Sequence, residues 1–294
     1  MIPYKFKNYY QIKDVYLNDR YFKKTISYLK KQNYIKFSKV KRMIGFFLKK
    51  NYPFCSILLF NKKIVGFLGT IISDKYSFNK KYLNCNIHSW IVDKKHRPLS
   101  SLLFQNIIKK KYTITALSPP LKLFETYKKL QFKKFIMIYN LILIKKFINI
   151  FLFKQNNFYL ELNLKKIKQR LNKKDYQIYS DHQNLNFYRF LFCQKNKKTF
   201  CMIIANISHK KKYFKVLNII YASNKKFLKK NINNFYKLIS LKFNIIFCSE
   251  YLLKKRDSNL SNNNFFNVRK KITIYIKNKP LNFEFNNLYS ELEY

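Results

Sequence analysis

Arg97 is the side chain best placed for chemistry in this sequence. It ends a tight basic turn, Asp93 to Arg97, that follows a predicted strand, and Pro98 then opens a predicted helix. A strand that runs into a helix N-terminus gathers free N–H groups and the positive end of the helix dipole, which favours phosphate oxygens. A guanidinium adds a forked donor matched to phosphate. The expected ligand at this junction is an anion. Other constellations are sparse. Asp181-His182 is the one acid–imidazole neighbour pair, and helix neighbours point about 100° apart, which disfavours a dyad. No Walker loop, GxSxG, HExxH or zinc-ligand spacing occurs.

The elements that must position Arg97 are legible. Leu83 to Val92 reads as a strand, with Ile87, Ser89 and Ile91 alternating with Asn86, His88, Trp90 and Val92. Regular alternation puts His88 and Trp90 on one face. The helix after Pro98 carries Leu102, Leu103, Ile107 and Ile108 on its apolar side. Thr113 to Leu117 is a short strand, ended by Ser118-Pro119-Pro120. Leu121 to Leu130 is a second helix, with Leu123, Phe124, Tyr127 and Leu130 on one side.

At these residues the sequence resembles the Gcn5-related N-acetyltransferase superfamily. The pyrophosphate loop of that superfamily reads Arg or Gln, two residues, Gly, one residue, Gly or Ala. The same slots hold Arg97, Ser100 and Leu102 here. Its second helix carries a Tyr followed four and five residues later by Gly-Phe, and these positions are Tyr127, Gln131 and Phe132. The resemblance covers about residues 18–139. It implies acetyl-CoA or another acyl-CoA as co-substrate, no metal, and a small-molecule or peptide amine as acceptor. Backbone N–H groups at Trp90, Ile91 and Val92 would polarise the thioester carbonyl. Those of Leu99, Ser100, Ser101 and Leu102 would hold the pyrophosphate beside Arg97, and Ser118 would bond the pantetheine arm. Tyr127 is the implied acid, since a phenol of pKa about 10 suits return of a proton to a thiolate. His88 is the implied base, as a near-neutral imidazole. Tyr127 also fits a core position on an amphipathic helix, in a chain with 24 Tyr. His88 also fits a half-buried, hydrogen-bonded role. Glu125 is expected to face solvent.

The rest of the chain reads as α+β, a central mixed and mostly antiparallel sheet flanked by helices, in two copies of one architecture. Asn18 caps a helix near Asp19 to Lys31, Lys39 to Lys50 is a second helix, and Phe54 to Phe60 with Ile64 to Ile72 form a hairpin. Gly66 and Gly69 in the second strand signal a bulge or a close backbone approach. Lys133 to Ile144 and Phe147 to Phe153 are strands. Helices, a hairpin, a long strand at Tyr213 to Tyr221, a long helix at Asn224 to Leu241 and strands at Phe243 to Cys248 and Arg269 to Ile276 repeat the order. The expected domains are residues 1–153, which bind acyl-CoA, and a degenerate copy at 154–294.

Charge and cysteines bound the partners. The chain holds 61 Lys+Arg against 13 Asp+Glu, a formal net charge of +48 over 294 residues. Such a field attracts polyanions, RNA included, without specificity. The spread of the basic residues along the whole chain, and the prevalence of Lys, Asn, Ile, Phe and Tyr, also fit a compositional bias. Five cysteines without CxxC spacing point to reduced thiols and a cytoplasmic location. The most apolar run, Phe135 to Phe153, is interrupted by Lys145 and Lys146 and falls short of the roughly 20 residues of a membrane span. Three functions are compatible: an acyl-CoA-dependent N-acyltransferase, a Fem-like transferase using aminoacyl-tRNA, and a non-catalytic basic RNA-binding protein on the same fold.

Overall fold

The computed structural model describes residues 9–32, 51–77, 80–117, 119–144, 157–183, 187–195, 197–210, 214–253 and 267–279. It has the expected mixed α+β architecture, with antiparallel pairing dominant. The chain packs as two compact units. Unit 1 comprises Met1–Phe135, Thr273–Glu284 and Tyr289–Tyr294, and unit 2 comprises Ile136–Ile272 and Phe285–Leu288.

In unit 1, β1 (Tyr10–Val15) leads to α1 (Arg20–Lys31), then β2 (Cys55–Phe60), β3 (Lys63–Ser77) and β4 (Lys80–Val92). A 3-10 turn (Lys94–Leu99), α2 (Ser101–Ile108), β5 (Thr113–Leu117) and α3 (Phe124–Lys129) follow. The N-cap of α1 is Asp19, one residue beyond the expected Asn18, because the Asp19 carboxylate accepts from Tyr21 N at 2.9 Å. The hairpin turn places Asn61 and Lys62 at φ 48° and 64°, the left-handed geometry that matches strand twist. The sheet runs β1-β2-β3-β4-β5, antiparallel except for β4 with β5. Its last member is the end of β12 (Asn267–Lys277), whose Ile274 to Lys277 pair antiparallel with β5. One face buries Leu68, Ile72, Cys85 and Ile87 against Leu103, Phe104 and Ile107 of α2 and Tyr127 of α3.

Unit 2 has the same order. It runs β7 (Phe158–Glu161), α4 (Leu164–Arg170), α5 (Lys173–Asp181), β8 (Tyr188–Gln194), β9 (Phe200–Lys210), β10 (Phe214–Ala222), α6 (Lys225–Lys230), α7 (Ile232–Phe243) and β11 (Phe247–Leu253). The sheet runs β7-β8-β9-β10-β11, with β10 and β11 parallel. It is closed by β6 (Lys133–Leu143), whose Met137 to Leu143 pair antiparallel with β11. Each unit is therefore completed by a strand from the other half of the sequence. The long helix expected over Asn224 to Leu241 is two helices, broken at Asn231 (φ −117°, ψ 24°). The expected helix at Lys39 to Lys50, the strand at Phe147 to Phe153 and the boundary at 153/154 lie outside the described residues.

Asp14 joins three elements of unit 1. Its carboxylate accepts from Ser56 Oγ on β2 (2.7 Å) and Asn106 Nδ2 on α2 (2.9 Å), and it pairs with Lys110. Removing it strands three donors around a half-buried position. Asp14→Ala is expected to cost about 2 kcal/mol, read as a melting midpoint lower by roughly 5 °C.

Candidate functional site

The site is built by one irregularity in β4. The register pairs Leu68 with Trp90 and Gly69 with His88, so Ser89 is the extra residue of a β-bulge. Ser89 has φ 49°, left-handed for a non-glycine residue. The bulge reverses the alternation. Cys85 and Ile87 face the α2 cluster before it, and Trp90 and Val92 face the same cluster after it. His88 is turned to the other face, where its ring meets Phe67 edge-on at 6.4 Å. The expectation that His88 and Trp90 share a face is thus corrected, because strict alternation holds only in an unbulged strand.

Gly69 permits this arrangement. A Cβ built there would lie 2.5 Å from His88 Nε2 and 2.7 Å from Nδ1, so the imidazole occupies the space that any other residue would fill. Sequence reasoning flagged Gly69 for a bulge or a close approach. The close approach is at Gly69, and the bulge is across from it in β4.

Past the bulge, β4 leaves β5. The parallel pairing runs from Asn84/Thr113 to Ile87/Ala116 and stops, whereas β4 continues to Val92. The edge of β4 from His88 to Val92 has no β5 partner among the described residues. The chain then enters the 3-10 turn, anchored at Asp93. The Asp93 carboxylate accepts from Tyr28 OH (2.9 Å) and Gln32 Nε2 (3.2 Å), and Asp93 N donates to Val65 O (2.9 Å). Burial and the Asp93 carboxylate push the Tyr28 phenol well up, which keeps it a donor. Within the turn, His96 Nδ1 bonds Tyr10 OH at 2.8 Å.

Pro98 lies inside this turn and not at the start of the helix, since α2 begins at Ser101. Ser100 makes no side-chain cap to α2, so the first N–H groups of that helix have no capping side chain. Ser100 is right-handed (φ −59°, ψ −29°), and no residue of the 94–102 stretch has positive φ. Replacing the loop glycines of the superfamily pattern therefore costs no backbone strain here. Lys94, Lys95 and Arg97 are exposed, and Leu99, Ser100, Ser101 and Leu102 are half-buried. The only carboxylate in the turn, Asp93, is already engaged with α1. This arrangement can hold a multiply charged anion.

Tyr127 is buried on α3. Phe104 (5.8 Å) and Phe132 (5.1 Å) meet its ring edge-on, and Tyr275 of β12 stacks on it at 5.0 Å with 19° between planes. No sequence signal linked Tyr275 to this site, because it lies 148 residues further along the chain. Glu125 is exposed, as expected. Ser118 lies outside the described residues.

His88 is half-buried as a residue, but its Nε2 has no solvent contact and, among the described residues, no hydrogen-bond partner. The ring is what titrates, so its own burial decides. That burial lowers its pKa to about 4. The near-neutral basicity expected from sequence is corrected accordingly, and the ring is neutral at pH 7. Its Nδ1 lies 3.0 Å from Ser89 Oγ on the bulge. Trp90 packs its indole edge-on against Phe104 at 4.6 Å, and its Nε1 is likewise buried without a partner among the described residues. An unmet buried donor costs about 1–3 kcal/mol.

The matching junction of unit 2 is occupied by its own side chains. Parallel pairing of β10 with β11 ends at Asn218/Ser249, two residues before a bulge at Ile220, as that of β4 ends two residues before Ser89. There Tyr221 OH donates to Asp175 Oδ1 (2.8 Å), the Asn224 side chain caps Phe227 N (3.0 Å), and Asn224 N meets Cys201 Sγ (3.4 Å). Asp181 and His182 do not form a dyad. Asp181 accepts from Gln177 and His182 Nδ1 lies 2.7 Å from Ile178 O. Among the described residues, no three His, Cys, Asp or Glu side chains cluster as a metal site, and no helix is long and apolar enough to cross a membrane.

No protein-family model matches the sequence, and no curated protein matches it. Solved structures do match. A conserved protein of Enterococcus faecalis, described as a probable N-acyltransferase, aligns over 90% of this chain and 71% of its own, with 10% identity and a TM-score of 0.61. A GCN5-related N-acetyltransferase from Anabaena variabilis aligns over 91% and 72%, with 11% identity and a TM-score of 0.60. At this identity the likeness is one of fold. The chain has the acyl-CoA N-acyltransferase fold of the GCN5-related proteins.

The buried His88 gives a pH test. Its folded pKa lies below the unfolded value of about 6.5, so its contribution to stability is complete above pH 6.5 and lost as pH falls towards 4. Chemical denaturation of wild type and His88→Gln across that interval should show wild type losing about 2–3 kcal/mol more than the variant. Parallel losses in both proteins would mean that the imidazole is solvated.

Proposed function

We propose that this protein transfers an acyl group from an acyl-CoA to an amine, with unit 1 holding the thioester. The observation that carries this is the parting of β4 from β5 after Ile87/Ala116, where the freed edge of β4 leads through a basic turn to the uncapped start of α2. The fold supports the same reading. Of the N–H groups of Leu99, Ser100, Ser101 and Leu102, that of Ser100 already donates to Arg97 O (3.0 Å) and Leu99 lies within the 3-10 turn, so the pyrophosphate is assigned to those of Ser101 and Leu102, with Arg97 as the forked cation. Pro98 contributes no donor. Lys94 and Lys95 add a local positive field that raises the encounter rate with an anionic co-substrate.

In this reading the acceptor amine attacks the thioester carbon. A C–N bond forms, the C–S bond breaks, and the sulfur leaves as thiolate. Successive N–H groups of a strand point to opposite edges, and Asp93 N donates to Val65 O of β3, so Ile91 N–H also faces β3; those of Trp90 and Val92 face the freed edge and are assigned to the charge that develops on the carbonyl oxygen. Tyr127 returns a proton to the thiolate. Its ring is held by Phe104, Phe132 and Tyr275, which leaves it little rotational freedom. A base with a pKa of about 4 does not retain the proton of an ammonium ion. His88, its Nε2 sealed from solvent, is therefore not the base; the amine arrives neutral, the proton it sheds on attack goes to solvent, and the Tyr127 phenolate recovers one from solvent. Ser118 remains assigned to the pantetheine arm. Acetyl-CoA is the simplest donor, and a small molecule or a peptide is the acceptor.

Acetyl-CoA at about 100 times its Kd should stabilise the wild-type protein by about 2.7 kcal/mol, read as a rise in melting temperature. Arg97→Ala should weaken that binding by roughly tenfold or more. An unchanged melting temperature at millimolar acetyl-CoA sinks the proposal. Tyr127→Phe should lower kcat by about 100-fold with acetyl-CoA affinity nearly unchanged. A kcat within a few-fold of wild type would return Tyr127 to a packing role.

A further inference from the structure

α3 is too short to set its own direction. It has six residues and no side-chain cap at its N-terminus, and a helix of that length is held by its neighbours more than by its own bonds. Its C-terminus is closed locally. Gln131 takes φ 61°, Gln131 N donates to Lys128 O (2.9 Å), Phe132 N donates to Tyr127 O (3.0 Å), and the Phe132 and Tyr127 rings meet at 5.1 Å. These are the bonds and the apolar contact of a Schellman motif, with Gln131 in the left-handed place. β12 adds contacts that the helix does not supply itself. The Tyr275 ring lies on two α3 residues one turn apart, stacked on Tyr127 (5.0 Å, 19° between planes) and tilted against Phe124 (5.4 Å). Two residues on, and on the same face of the strand, Lys277 Nζ donates to the C-cap carbonyl of Leu130 at 2.7 Å. A cation also suits that negative end of the helix. The strand is itself firmly placed. Ile274, Tyr275 and Ile276 are buried, and Ile274 to Lys277 pair with β5. Asn278 then accepts at its carbonyl from Thr113 Oγ1 (2.9 Å) and donates from Nδ2 to Tyr112 O (3.0 Å).

We infer that Tyr275 and Lys277 are positioning residues, which aim the Tyr127 phenol by holding α3 on its side and at its end. The inference rests on the reading of Tyr127 as the acid. Neither residue needs to touch a ligand. Tyr275 fixes the plane of the Tyr127 ring, and Lys277 fixes the turn of helix that carries it. A proton donor displaced by about 1 Å from its target can lose about 100-fold in rate, so small freedoms of α3 matter. A consequence concerns the order of assembly. The acid belongs to the first half of the sequence, and the strand that aims it comes near the other end. Unit 1 is therefore competent only once Ile274 to Lys277 have joined β5.

Hydroxylamine, a small amine largely neutral at pH 7, serves as the acceptor probe, and release of the CoA thiol from acetyl-CoA gives the rate above the uncatalysed reaction. Tyr275→Leu should lower kcat by about tenfold or more, with acetyl-CoA affinity by calorimetry nearly unchanged. Tyr275→Phe keeps the stacked ring and should stay within about twofold of wild type. Lys277→Met, a milder change at a half-buried position, should lower kcat about threefold or more, and it carries the test if Tyr275→Leu does not fold. In a Tyr127→Phe background no phenol is left to aim, so Tyr275→Leu and Lys277→Met should each change kcat by less than about twofold. Equal losses in both backgrounds make the two residues structural and overturn the inference. A loss in Tyr275→Phe as large as in Tyr275→Leu also overturns it, because the ring is kept. Wild-type rates in Tyr275→Leu and Lys277→Met, with Tyr127→Phe slow, overturn it and leave the acid reading intact. A Tyr127→Phe rate within a few-fold of wild type removes the acid reading and the inference together. Failure of wild type to turn over acetyl-CoA removes the acyl-transfer reading as well.

Discussion

The packing of the His88 ring on the bare backbone of Gly69 is the constraint from which the site follows. A bulge inserts one residue, increases local twist and ends regular pairing. Here it turns His88 away from the α2 core, returns Trp90 to that core, and coincides with the end of the β4–β5 ladder. Two buried ring nitrogens, His88 Nε2 and Trp90 Nε1, are left without partners among the described residues, on either side of the bulge. Such unmet groups concentrate where structure serves a ligand more than it serves stability. The cost is carried by the surrounding packing, in which Phe104 contacts Trp90, Tyr127 and Phe132.

Charge placement reinforces the same site. Six described aspartates, Asp14, Asp19, Asp74, Asp93, Asp175 and Asp181, all accept hydrogen bonds from protein groups, and none is exposed. Many of the lysines, by contrast, stand in solvent, Lys94, Lys95, Lys165, Lys166, Lys225 and Lys226 among them. These aspartates thus hold elements together, and the outer field is left positive. A compositional bias towards Lys and a polyanion partner both fit the excess, and the use of these aspartates inside explains why so little of it is neutralised locally. At the start of α2 this field adds to the helix dipole, and both favour an anion.

Much of the fold was legible because its signals are local. Alternation marked β2, β3, β4 and β10, Pro98 and Pro119 marked interruptions, and the basic turn at Asp93 to Arg97 marked the junction. Local signals also set the limits. The N-cap moved from Asn18 to Asp19 and the helix start from Pro98 to Ser101, because side-chain capping and a 3-10 turn decide such ends within a residue or three. The break at Asn231 interrupts an apolar periodicity that reads as continuous. Strict period-two reasoning put His88 beside Trp90 and failed at the one residue where the period is broken.

The amino-acid sequence by itself determined the α+β class, the repeated order of elements, the basic, helix-opening character of the Arg97 junction and the candidacy of Tyr127. Each of these depends on residue types a few positions apart. Tertiary structure alone decided the face on which His88 lies, the low basicity of its ring, the unmet indole of Trp90 and the stacking of Tyr275 on Tyr127. It alone decided that β12 closes the sheet of unit 1 and β6 that of unit 2. These depend on burial and on pairing between distant segments, and such contacts leave no trace in local periodicity.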